Sequence, residues 1–116
     1  MACSPVHMTA QWTVPPGQTS TIATALQALM LATKHEHGCI ACLLETEVGE
    51  RVTLRYEELW QTEEDLRQRI QSARFAELAG LVESATEQPR IEFTLPTGTR
   101  GLDYADEVRR GTESVK

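Results

Sequence analysis

Aromatic side chains are scarce in this sequence: two Phe, two Trp and two Tyr among 116 residues. Any aromatic that recurs at a candidate site therefore carries weight. Basic charge is scarce too. Lys and Arg number 11 against 17 Asp and Glu, a formal net charge of −6, which works against binding to phosphate backbones, so no nucleic-acid partner is expected. No apolar run approaches the roughly 20 residues of a membrane span. The N-terminus shows neither the basic segment nor the long apolar core of a signal peptide. A cytoplasmic protein with no membrane partner is the expectation. There is no Gly-rich phosphate loop, no Gly-x-Ser-x-Gly elbow and no Cys–His pair on facing elements.

Cysteine is limited to Cys3, Cys39 and Cys42, an odd count that gives no disulfide framework. Cys39 and Cys42 follow His35 and His37 in a pattern that resembles a metal site on paper. Gly38, however, ends a helix, and Cys39 to Leu44 read as a buried strand. Residues three apart on a strand point to opposite faces, so the two thiols are not expected to share an ion. Neither opens a helix, as a redox Cys-x-x-Cys would. They read as small buried thiols, with no metal and no cofactor.

What is present fits one globular domain, with 41% hydrophobic and 24% charged residues. Val6, Met8, Ala10, Trp12 and Val14 alternate with polar residues as a strand, stopped by Pro15-Pro16-Gly17. Thr19 or Ser20 can cap a helix whose apolar stripe is Ile22, Leu26, Leu29, Met30 and Thr33. His35-Glu36-His37 fall at its C-terminus as solvated groups. Cys39–Glu47 and Arg51–Leu59 form two strands around a turn at Val48-Gly49-Glu50. Thr62 to Asp65 start a helix with Leu66 and Ile70 on its stripe, and Ser72 caps a second carrying Phe75, Leu78, Leu81 and Val82. Gln88-Pro89 breaks the pattern before a last strand, Ile91 to Leu95. After Pro96-Thr97-Gly98 comes a tail with a short amphipathic helix through Leu102, Ala105 and Val108, and a frayed end from Gly111.

This order is the α+β, ferredoxin-like split βαβ pattern: a four-stranded antiparallel sheet with its helices on one face. Residues 1–98 form the domain and 99–116 a tail expected to pack on a partner subunit. The open sheet face, apolar near Cys39 to Leu44, calls for cover by a second copy, so a homodimer is expected.

Four pieces then resemble the antibiotic biosynthesis monooxygenase family, the dimeric α+β barrels that include quinol monooxygenases. They are Val14-Pro15-Pro16-Gly17, Glu36-His37-Gly38-Cys39, Glu58-Leu59-Trp60, and Leu66 to Phe75. The resemblance implies a pocket between helices and sheet in each subunit, where a phenol or quinol is oxidised by molecular oxygen without a cofactor. Met8, Ala10, Trp12, Leu54, Tyr56, Glu58 and Trp60 share the strand phases facing the helices, an apolar lining with few polar groups. Trp60 matches the family's tryptophan and can stack on a flat ring. Tyr56 can hydrogen-bond a phenolic oxygen. Glu58 matches the acid before that tryptophan, and burial would suit it to take a phenol's proton. Arg69 and Arg74 are placed at the mouth, with Phe75 beside them. The other reading of these residues is structural: Trp12, Tyr56 and Trp60 as core aromatics, Glu58 paired with Arg69 or Arg74.

The family often shows His and then Ser-Pro-His-Phe where this chain has Arg69 and then Ser72-Ala73-Arg74-Phe75. A histidine shuttle is thus missing, and an arginine can hold an oxyanion instead. The haem-degrading branch has asparagine and histidine where Ala10 and Ala79 stand, so haem degradation is not expected. His7 lies on the opposite phase of its strand. A binding or accessory dimer without catalysis is the alternative.

Overall fold

Strict alternation over Val6–Val14 makes the first strand, β1, with every second side chain buried. In the computed structural model, residues 5–14, 16–83 and 89–114 are described; Cys3, Pro15, Gln88 and Lys116 lie outside them. A 3₁₀ turn, Pro16–Gln18, leads into α1, Thr19–Thr33, which buries Ile22, Leu26, Leu29 and Thr33. The expected hydroxyl cap at Thr19 or Ser20 is not used: the N-cap is Gln18, with no side-chain hydrogen bond, because the 3₁₀ turn runs straight into the helix. Gly38 takes φ 87°, and a Cβ there would collide with the side chain of Asp65, so two constraints at once require glycine.

β2, Cys39–Val48, and β3, Val52–Trp60, form the central hairpin. α2, Glu63–Ile70, and α3, Ala73–Val82, are capped by Thr62 and Ser72, whose hydroxyls accept from the amides of Asp65 and Phe75. β4 is Arg90–Leu95. Every strand pairing is antiparallel, and the sheet order places β1 between β3 and β4 with β2 at one edge. That is the ferredoxin-like arrangement.

Three expectations change. Among the described residues the sheet has five strands, because the chain turns at Gly98 (φ 134°) and Gly98–Arg100, β5, pairs back onto Phe93–Leu95. The tail helix, α4, is long, Leu102–Ser114. Within the single chain Tyr104, Ala105 and Val108 of this helix are buried. The Tyr104 ring lies 5.2 Å from that of Phe93 on β4, and its hydroxyl donates to Glu63 Oε2 at 2.7 Å.

The third change concerns β2. Its pairing with β3 slips between Cys39 and Ala41, so Cys39 lies opposite Trp60 and Cys42 opposite Glu58. The bulge at Ile40 adds one residue and so brings Cys39 onto the face that Cys42 already shares with Trp60 and Glu58. The argument that they point apart therefore fails. Among the described residues, no group of three or more His, Cys, Asp or Glu is gathered as an ion would need.

Candidate functional site

Period-two geometry puts Tyr56, Glu58 and Trp60 side by side on the inner face of β3. Helix α2 buries Leu66, Arg69 and Ile70 as an i, i+3, i+4 stripe, and that stripe delivers Arg69 to the same place. Glu58 is 0% and Arg69 2% exposed. The Arg69 guanidinium closes on the carboxylate: Nη2 donates to Glu58 Oε2 at 2.7 Å, and Nε lies 3.2 and 3.1 Å from Oε1 and Oε2. The Tyr56 hydroxyl donates to Oε2 at 2.6 Å and Trp60 Nε1 to Oε1 at 2.9 Å. Of the two alternatives for Glu58, the ion pair with Arg69 is the one that forms. Its oxygens already accept from Arg69, Tyr56 and Trp60, leaving no lone pair aimed elsewhere. In this arrangement the carboxylate that the sequence reading offers as a base holds its three neighbours in place.

The cluster extends to two residues that the sequence reading did not place in it. Thr33 accepts from Arg69 Nη2 at 3.1 Å while donating to the Leu29 carbonyl at 2.7 Å. Its hydroxyl on an otherwise apolar helix stripe was the available signal. Cys42 donates from Sγ to the Tyr56 oxygen at 3.2 Å; the regular hairpin register from Val48–Val52 places it opposite Glu58.

Electrostatics follow from this burial. Burial pushes the Cys42 thiol up to about 12, with the Glu58 charge adding to the effect and the Tyr56 hydrogen bond opposing it. Tyr56 is raised by burial and then by the charge of Glu58. Burial opposes the charge on Arg69, but Glu58 outweighs it and the net direction is up. The cluster thus holds a neutral thiol, a neutral phenol and a cation bound to its carboxylate at ordinary pH.

The other expected site residues divide. Met8 lies opposite Glu58 on β1 and is 1% exposed. Trp12 pairs with Leu54, four residues further along the strand from Met8, about 13 Å away at strand rise. Both are buried, and the Trp12 indole N–H has no hydrogen-bond partner among the described residues. Phe75 is buried in the same core. Arg74 is not beside Glu58: it is exposed on α3 and donates to Glu36 Oε2 at 2.9 Å. The same Glu36 oxygen lies 3.6 Å from Arg69 Nη1, so Glu36, read as solvated, links the surface arginine to the buried one. Met8, Trp12, Leu54, Tyr56, Glu58 and Trp60 are each at most 3% exposed; in this conformation the inner face is packed shut.

The antibiotic biosynthesis monooxygenase family matches residues 5–80, a span that holds every member of the cluster. This chain belongs to that family. Among solved structures it is similar to a conserved Methanosarcina mazei protein, 25% identical over 78% of this chain and 91% of that one, with a TM-score of 0.68. It is also similar to Rv0793 from Mycobacterium tuberculosis, 23% identical over 80% and 95% of the two chains, TM-score 0.68. A third is a conserved Bacteroides thetaiotaomicron protein of unknown function, described as a possible oxidoreductase, 24% identical over 79% and 97%, TM-score 0.69. The last two bear on the fold. No curated protein matches the sequence.

Proposed function

We propose that this family member oxidises a phenolic or quinol ring with molecular oxygen at the inner sheet face, beside Glu58, Arg69, Tyr56 and Trp60. Arg69 carries the reading. It is a guanidinium withdrawn from water, fixed by Glu58 and set among apolar side chains. A preorganised cation in such surroundings favours the ionised form of a phenol and stabilises charge as it develops. The substrate anion then supplies the electrons: a quinol loses two hydrogen atoms and gains one oxygen atom, and the second oxygen leaves as water. Oxygen is the oxidant, and the scheme calls for no cofactor. Tyr56 would turn its one O–H from Glu58 to the substrate oxygen, Trp60 would stack on the ring, and Met8, Leu54, Phe75 and Trp12 would supply apolar wall.

The fully engaged oxygens of Glu58 and the closed inner face favour a second reading, a binding or accessory protein without turnover. Oxygen uptake with a panel of hydroquinones and anthrones separates the two. The oxygenase reading expects uptake above the autoxidation rate, and a fall of roughly 10²–10³-fold in Arg69→Met. Uptake at the autoxidation rate for every compound would leave only the binding reading.

Assembly as a cytoplasmic homodimer is part of the same proposal. Ile40 and Leu43, 48% and 54% exposed, support it, since a second sheet would cover them. No helix among the described residues is long and apolar enough to cross a membrane.

A further inference from the structure

Helices α1 and α3 leave a groove of about 440 Å³, lined by Ala28, Leu29, Ala32 and Gly80, with Arg74 and Glu77 among its polar groups. Small side chains keep it open: a Cβ added at Gly80 would meet no atom within 4 Å. The volume lies inside the roughly 300–1,000 Å³ of small-molecule sites.

Arg74 connects the groove to an unsatisfied group. Arg69 Nη1 is buried and has no hydrogen-bond partner among the described residues, an unusual state for a guanidinium, whose N–H groups are costly to leave unpaired away from water. Glu36 Oε2 lies 3.6 Å from that nitrogen but 2.9 Å from Arg74 Nη1. One tethered carboxylate therefore faces two guanidiniums and bonds only one. The Glu36 side chain is 25% exposed and can turn out to water, whereas that of Arg69 is 0% exposed and cannot.

We infer that this groove binds an amphipathic monocarboxylate, its apolar body between α1 and α3 and its head displacing Glu36 to bridge Arg69 Nη1 and Arg74 Nη1. Two N–H donors on separate guanidiniums match the two oxygens of a carboxylate. Glu77 in the lining and Glu36 nearby repel a second negative charge, which selects a monoanion over a dianion. The inference stands apart from the oxygenase reading, since it needs no oxygen chemistry.

Isothermal titration of the full chain with 2-naphthoate, and with the neutral 2-naphthamide, tests it. The expected result is one naphthoate per chain, with naphthamide at least about tenfold weaker for loss of the charge-assisted bonds. Arg74→Met should weaken naphthoate by about the same factor. Gly80→Leu, which fills the groove without a backbone clash, should abolish binding. Glu36→Gln should tighten it, by removing the resident competitor. Far-UV circular dichroism and the melting temperature verify that each variant is folded. Equal affinity for the amide, unchanged binding in Gly80→Leu, or weaker binding in Glu36→Gln would each overturn the inference.

Discussion

Replacing Arg69 by methionine asks most of the structure. The substitution keeps an unbranched side chain of similar length but leaves the Glu58 carboxylate, 0% exposed, with only the Tyr56 hydroxyl and the Trp60 N–H. Removing one member of a buried pair costs about 3–5 kcal/mol, because the surviving charge is uncompensated. At about 4 °C per kcal/mol for a chain of this size, the melting temperature should fall by roughly 12–20 °C. Glu58→Leu should cost at least as much, since it strands the guanidinium as well as the Tyr56 and Trp60 donors. The double variant should be milder than the two losses combined. An apolar pair in place of an ion pair is neutral or gains about 1–4 kcal/mol, set against two orphaned donors at about 1–3 kcal/mol each. A coupling of at least about 2 kcal/mol is therefore expected from urea unfolding of the wild type, both single variants and the double. Additivity within about 0.5 kcal/mol would refute the claim that these two charges depend on each other.

Gly38→Ala should destabilise by about 1–3 kcal/mol in the same assay, through the left-handed backbone and the clash with Asp65; a loss under about 0.5 kcal/mol would contradict that geometry. Cys42 should resist thiol reagents at pH 8 and make stability fall with rising alkalinity. Its folded value, about 12, is above the ordinary 9.0. Between those values the unfolded chain loses a proton that the folded chain keeps, so stability declines as pH rises. Cys42→Ala should flatten that decline in urea midpoints, and an unchanged slope would remove Cys42 as its source. Leu43→Lys places a charge on the outer sheet face and should yield a monomer by light scattering, against the dimer proposed for the wild type. A dimer of undiminished stability would move the interface elsewhere.

Local pattern carried most of the fold. The alternation of Val6–Val14, the stripe of α1 and the break at Ser72 are short-range signals, and each appears where its periodicity puts it. The errors came from long-range events. The bulge at Ile40 depends on how β2 meets β3, and no residue within Cys39–Leu44 announces it, yet it decides that Cys39 shares a face with Cys42. β5 depends on a turn at Gly98 finding β4. The choice between Arg69 and Arg74 as the partner of Glu58 was open in sequence but not undetermined. Arg69 is three residues after Leu66 and one before Ile70, inside the buried stripe, while Arg74 sits on the outer side of α3. A charge on an apolar helical stripe needs a buried counter-charge, and Glu58 on the inner phase of β3 is one.

That pairing also says why the inner face is polar at all. A buried ion pair is weak support for stability, since apolar residues of the same volume often do as well or better. Here the pair requires four further groups to be arranged around it: Tyr56, Trp60, Thr33 and, through Tyr56, Cys42. In a chain of 116 residues with a correspondingly small core, packing alone gives no reason for such a cluster. Nor does the cluster satisfy itself, because Arg69 Nη1 is left without a hydrogen bond among the described residues. A network built only to hold the fold would be expected to close on all of its donors. On the proposed reading, the unpaired Nη1 of Arg69 puts the functional weight of the site on the guanidinium rather than on the carboxylate that holds it.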